Sequence, residues 1–93
     1  MAKPVSPNAH GRSEFWERKG LTQVIVREQR RFAMRLRALR EERELSQVAA
    51  AALVGLHPVH VVRLENGKAN VTFATLVAIA IAYKVPLKDL FNW

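Results

Sequence analysis

The sequence predicts an all-α protein, and three observations carry that expectation. Apolar residues recur at helical period through two long stretches, and no stretch alternates apolar with polar residues as a half-buried strand does. Cap-type residues, glycines and prolines also punctuate the chain where helices would start and stop. With 93 residues there is room for one small domain plus a tail, and a domain of this size buries only about 60–65% of its unfolded surface. Its stability as a monomer is therefore expected to be modest.

Residues 1–12, "MAKPVSPNAHGR", hold two prolines, Ser6, Asn8 and Gly11 with almost nothing to bury, the composition of a flexible, solvated arm. "SEFWERK" follows, with Ser13 placed as an N-cap for one or two helical turns before Gly20 interrupts. Residues 13–30 read as a helical extension in which Phe15 and Trp16 dock on something, and the Phe15 to Val26 region offers a possible dimer contact.

Thr22 opens the long segment "TQVIVREQRRFAMRLRALREERE". At 100° per residue, Leu21, Ile25, Phe32, Leu36 and Leu39 fall within about 60° of one another, a single apolar stripe. Arg27, Arg30 and Arg37 stand on the far side, so the helix is amphipathic and basic, and a membrane-surface or partner-helix role has to be weighed. Its apolar face is weak for a membrane-surface helix.

"LSQVAAAAL" carries Ser46 as N-cap before an alanine-rich run of high helix propensity, and Gly55 stops it. Pro58 then starts a short helix at its first position, where a missing N–H costs nothing, and Asn66 with Gly67 ends it. Thr72 caps "FATLVAIAIAY", and "VPLKDLF" adds a last short turn behind Pro86.

Composition narrows the function. A formal charge of +7 and an isoelectric point near 10.9 point to a polyanionic partner, nucleic acid before anionic membrane. Eleven of the fifteen Lys and Arg residues precede Leu45, so the charge is concentrated in the first half. The absence of cysteine excludes disulfides and thiolate zinc sites, leaving packing or self-association to hold the fold. The chain start lacks the apolar run of a signal peptide, and no stretch approaches the ~20 apolar residues of a membrane span. A soluble cytoplasmic, nucleoid-associated protein that makes no membrane contact is expected. No cofactor is expected either. Glu41, Glu42 and Glu44 read as a solvated helix end, and no cluster assembles nucleophile, base and orienter. The protein reads as a non-enzyme.

The two short helices, about Gln47 to Leu53 and Pro58 to Glu65, are joined across "VGLH", where Gly55 allows the tight crossing of a helix-turn-helix. Around them, "LSQ", Ala51, Gly55, Val61, "RLENGK" and "TLVAIAIAYKVPLKDLF" resemble the phage-repressor and Cro-like (XRE-type) helix-turn-helix DNA-binding family over about residues 31 to 91. The resemblance implies a five-helix repressor-like domain over residues 31–93. It also implies a transcriptional regulator that binds double-stranded DNA.

By that resemblance, the helix from Pro58 lies in the major groove. Base reading falls to Val59, His60 and Arg63, with Pro58 beside them, and phosphate binding to Gln47, Asn66, Lys68 and Asn70; apart from the resemblance, His57 reads as a further phosphate contact. Helix N-termini and short polar side chains suit that positioning role. Pro58 and Val59 depart from the polar residues usual there, so only apolar contact such as Val59 with a thymine methyl remains. Arg63 is the candidate for a bidentate guanine contact, and His57 is equally suited to capping its helix. His57 and His60 are an i,i+3 pair, but a zinc site needs three or four ligands and no further cluster is visible. No metal is expected.

Arg40 and Glu65 resemble a structural pair of the family. Glu44 stands where the family often has glycine and is expected at positive φ. Ala50 replaces an expected leucine and fills less core. On the Thr72–Tyr83 helix, Phe73, Leu76, Ala80 and Tyr83 are expected to face the core. Ala74, Ala78 and Ile81 lie on another side and are apolar too. A helix apolar nearly all round needs a second burial surface, so these three are expected at a homodimer interface. The main alternative is a protein-interaction module, such as an antitoxin or adaptor, whose apolar Pro58, Val59 and Val62 bind a protein partner while DNA contact is secondary.

Overall fold

The computed structural model describes residues 10–93. Five helices appear in chain order, α1 (His10–Arg18), α2 (Leu21–Glu42), α3 (Gln47–Val54), α4 (Pro58–Glu65) and α5 (Phe73–Tyr83), followed by a 3-10 turn over Leu87–Phe91. All regular structure among the described residues is helical. Nearly all of the arm expected over residues 1–12 lies outside them. Its last three residues belong to α1, which begins at His10, so Ser13 sits inside the helix rather than capping it. The residue preceding α2 is Gly20 at φ 69°, and Thr22 is the second residue of that helix.

Local chemistry explains most of the other boundaries. The Ser46 hydroxyl accepts from the Ala49 N–H at 3.0 Å, and the Thr72 hydroxyl accepts from the Thr75 N–H at 3.2 Å. Each satisfies a backbone donor that has no partner within its helix. Gly55 ends α3 at φ 87°, a left-handed conformation that a Cβ would strain, and its N–H reaches the Ala51 carbonyl. Among the described residues, two non-glycine residues also adopt positive φ: Glu44 at 55°, as expected, and Lys84 at 56°, closing α5.

The core is formed by Leu36 and Leu39 of α2, Ala50 of α3, Leu64 of α4, Ile79, Ala80 and Tyr83 of α5, and Leu90 of the closing turn. Every element after α1 contributes. Ala50 is fully buried, so α3 packs with its backbone close to its neighbours where a leucine would have held it further off. The α2 stripe outruns this core. Leu21 is exposed, Ile25 and Phe32 are partly covered, and full burial begins only with Ala33. With 22 residues, α2 is about 33 Å long by helical rise. Its first turns project beyond the domain body.

Long-range ties fix the far end of the domain against α2. Arg35 Nε donates to the Asp89 carbonyl at 2.7 Å, and Phe32 stacks on Phe91 at 5.5 Å between ring centroids. Arg43 Nε donates to the Tyr83 carbonyl at 2.9 Å while its guanidinium lies 5.5 Å from the centre of the Tyr83 ring. Burial pushes the Tyr83 hydroxyl above the ordinary tyrosine range, with the Glu65 charge acting in the same direction.

One expected core residue is not in the core. Phe73 is 68% exposed, and its place is taken by Ile79. The buried face of α5 is centred among Leu76, Ile79, Ala80 and Tyr83, and Phe73 lies about 70° from that centre at 100° per residue.

Candidate nucleic-acid interface

The helices α3 and α4 meet at 111°, within the range of a helix-turn-helix. The fourth helix divides sharply by side. Val61, Leu64 and Glu65 are buried, while Val59, His60, Val62 and Arg63 face solvent. A single turn of α4 thus presents Val59, His60 and Arg63 together, since i, i+1 and i+4 span about 100° of the helix circumference. The His57 ring caps this helix, its Nδ1 accepting the Val59 N–H at 3.2 Å, and leaves Nε2 as the ring nitrogen free for another contact.

The outer face of α4 and the following loop enclose an open hollow of about 490 Å³ lined by His57, Val59, His60, Arg63, Ala69 and Asn70. Five of the residues singled out from sequence therefore converge on one concavity. Ala69 was not among them, because a small apolar residue in a loop gives no chemical signal. Asn66 and Lys68 are exposed on the same loop, and the Arg63 guanidinium lies 3.5 Å from the Lys68 carbonyl. Ala74 and Ile81 are exposed and Ala78 is partly covered, on α5 and apart from this hollow.

Behind α4, one buried carboxylate organises the site. Arg40 donates Nε to Glu65 Oε2 at 2.7 Å and Nη2 to Oε1 at 2.9 Å, a bidentate pair with side chains only 12% and 1% exposed. Hydrogen bonding to Glu65 raises the Arg40 pKa against the opposing effect of burial. The third guanidinium nitrogen, Nη1, donates to the Leu45 carbonyl at 2.8 Å. The same arginine thus braces the turn where Glu44 takes positive φ. Arg37 Nε lies 3.6 Å from Glu65 Oε1, a contact that its i,i+3 relation to Arg40 made legible and the sequence reading did not name.

Gln47, the first residue of α3, donates Nε2 to Glu65 Oε1 at 3.3 Å. A primary amide carries two N–H donors. One is spent inward on the carboxylate, and the second remains on a half-covered residue at a helix N-terminus, where the dipole favours an anion. Among the described residues, no group of three His, Asp or Glu lies close enough to share a metal ion, and no single helix is long and apolar enough to cross a membrane.

An exposed short helix carried at about a right angle on a second one, with basic and amide side chains around it, defines a helix-turn-helix DNA-binding domain. The helix-turn-helix family model HTH_3 matches residues 36–90, and the chain belongs to that family. The control protein C.MunI of Mycoplasma sp is 36% identical over 63 residues, covering 67% of this chain and 85% of the relative. The HTH-type transcriptional repressor RghR of Bacillus subtilis (strain 168) is 42% identical over 60 residues, 63% of this chain but only 44% of that protein.

Solved structures agree. The restriction-modification controller protein C.AhdI of Aeromonas hydrophila superposes with a TM-score of 0.66 at 35% identity, over 68% of this chain and 96% of that one. An HTH_3 family transcriptional regulator from Vibrio cholerae gives 0.68 at 31% identity, over 72% of this chain and 38% of that one. The family match begins at Leu36, leaving α1 and most of the projecting α2 turns outside it.

Proposed function

We propose that the protein is a sequence-specific transcriptional regulator that binds double-stranded DNA as a homodimer on a two-fold operator, with α4 in the major groove. The observation that carries this reading is the concave face where Val59, His60 and Arg63 meet His57 and Asn70, beside the exposed Lys68. Arg63 reads a guanine edge, Val59 meets a thymine methyl, and Gln47, His57, Asn66, Lys68 and Asn70 fix register on phosphates. The strongly basic composition supports the same partner. So does similarity to the control proteins C.MunI and C.AhdI and to the transcriptional repressor RghR.

Homodimerisation is supported by the outer face of α5. Phe73 and Ile81 are 68% and 72% exposed, with Ala74 exposed and Val77 and Ala78 partly so. This apolar strip is continuous along the helix, and a second copy burying it presents two α4 helices to half-sites about 34 Å apart. Selection of bound fragments from a random duplex pool tests the whole reading. Recovery of a two-fold symmetric sequence is the expected result, and absence of any enrichment would remove it.

A second reading, a protein partner seated on α4, is favoured by the exposure of Val59 at 58% and Val62 at 37%. Salt separates the two. Binding through many phosphates weakens steeply as salt rises, whereas an apolar protein interface does not.

A further inference from the structure

The turns of α2 that precede the family-matched segment are placed beside the phosphate-binding loop. A methyl group on Gly67 would lie 3.5 Å from the Gln29 carbonyl and 3.6 Å from the Arg30 Cα. The loop running from Asn66 to Asn70 therefore rests directly on the α2 backbone at Gln29 and Arg30. No Asp or Glu occurs between Asn66 and Thr72, so nothing on that loop neutralises a cation beside it.

Cations stand on the same turns of α2. Between Leu21 and Arg31 the helix carries Arg27, Arg30 and Arg31 against the single carboxylate of Glu28. That carboxylate is shared, 3.6 Å from Arg27 Nε and 3.2 Å from Arg31 Nη1. Arg30 is exposed and has no carboxylate within 4.0 Å among the described residues. Arg27 and Arg30 line one open hollow of about 360 Å³ together with Gln23. As an i,i+3 pair they are separated by about 4.5 Å of helix rise, comparable with the ~3.4 Å axial spacing of charges along one DNA strand.

We infer that Arg27 and Arg30 form a second contact to the DNA backbone, on the turns of α2 against which the Lys68 loop rests, that lengthens the footprint of each domain beyond what the helix-turn-helix covers. This inference rests on the duplex-binding reading. The contact is to phosphate oxygens alone, since a helix lying along the backbone outside the groove reaches no base edge. It adds affinity and footprint without adding sequence preference.

The full chain and the double variant Arg27→Ala/Arg30→Ala are titrated with a mixed-sequence DNA duplex over a range of salt concentrations, and the selected operator is footprinted with hydroxyl radicals. Both side chains are exposed, and circular dichroism confirms that the helices are retained. Loss of two phosphate contacts makes the slope of log K against log salt shallower by about 1.8, at ~0.9 per phosphate. The protected region shortens at one edge with base preference unchanged, and Arg30→Lys keeps the slope. If slope and footprint stay as in the wild type while Lys68→Ala still flattens the slope, this inference falls and the duplex reading stands. A wild-type chain that binds no duplex removes both. A double variant that loses binding to polyglutamate but keeps its duplex slope overturns the inference in favour of an acidic protein surface.

Discussion

Arg40 and Glu65 lock the long helix α2 to the end of α4 through two hydrogen bonds of 2.7 and 2.9 Å, and the carboxylate is almost completely withdrawn from water. Twenty-five residues of chain separate them. Removing Glu65 leaves the Arg40 guanidinium largely buried with only the Leu45 carbonyl at 2.8 Å and the exposed Glu41 carboxylate at 3.9 Å. Glu65→Ala is therefore expected to lower the unfolding free energy by about 3–5 kcal/mol. Replacing both with apolar residues of similar volume, Arg40→Met with Glu65→Leu, is expected to cost much less, because neither charge then needs desolvating. Urea unfolding of the three chains checks this, and a single-variant loss no greater than that of the double sinks it.

The α4 surface and the neighbouring loop should separate in their effects on DNA. Arg63→Ala is expected to relax preference at one base position by about 1–3 kcal/mol while other positions keep theirs. Lys68→Ala is expected to weaken all duplexes alike and to flatten the salt slope by about 0.9. Competition binding against single-base operator variants measures both quantities. An unchanged preference profile for Arg63→Ala would take away its reading role.

How much of this was legible beforehand can be traced residue by residue. Helix identities followed from the apolar period and from side-chain caps such as Ser46 and Thr72, because those signals are local. The Arg40–Glu65 pair came from family resemblance, and its inward geometry agreed with the helical angle of Arg40. Positive φ at Glu44 followed from the glycine it replaces. Lys84 carried no such mark. Phe73 misled because a phenylalanine beside an apolar run reads as core, while a 70° offset decides burial and is settled only by the packing of α5. Arg30 looked like any solvated arginine. Its significance comes from the approach of Gly67, a contact between chain segments 37 residues apart in number, which no local pattern encodes.

Tyr83 makes stability depend on alkaline pH. Its hydroxyl is held above the usual tyrosine range in the folded state, chiefly by burial, so the unfolded chain releases this proton first. The contribution is fully present below the unfolded value near pH 10 and is lost as pH rises from there through the folded value. Unfolding free energy is expected to fall above about pH 10, and Tyr83→Phe is expected to remove part of that fall. The difference between the two chains in urea unfolding at pH 9 and at higher pH measures it. Parallel pH curves would show that Tyr83 is not the group responsible.

The strip along α5 gives the sharpest test of assembly, because its residues do little for the monomer. Ile81 is 72% exposed, so a charge placed there costs the isolated domain almost nothing, as with surface substitutions generally. In a dimer the same side chain is covered, and Ile81→Glu forces two unpaired carboxylates into an apolar interface. The wild type is expected to sediment as a dimer, and the variant to keep its helicity and to sediment as a monomer at the same concentration. Duplex binding is expected to weaken far more on a two-fold operator than on a half-site, since only the former draws on two domains held at a fixed spacing. A variant that still sediments with the wild-type mass places the interface elsewhere, and the exposed apolar residues at the start of α2, Leu21, Val24 and Val26, are then the next surface to charge.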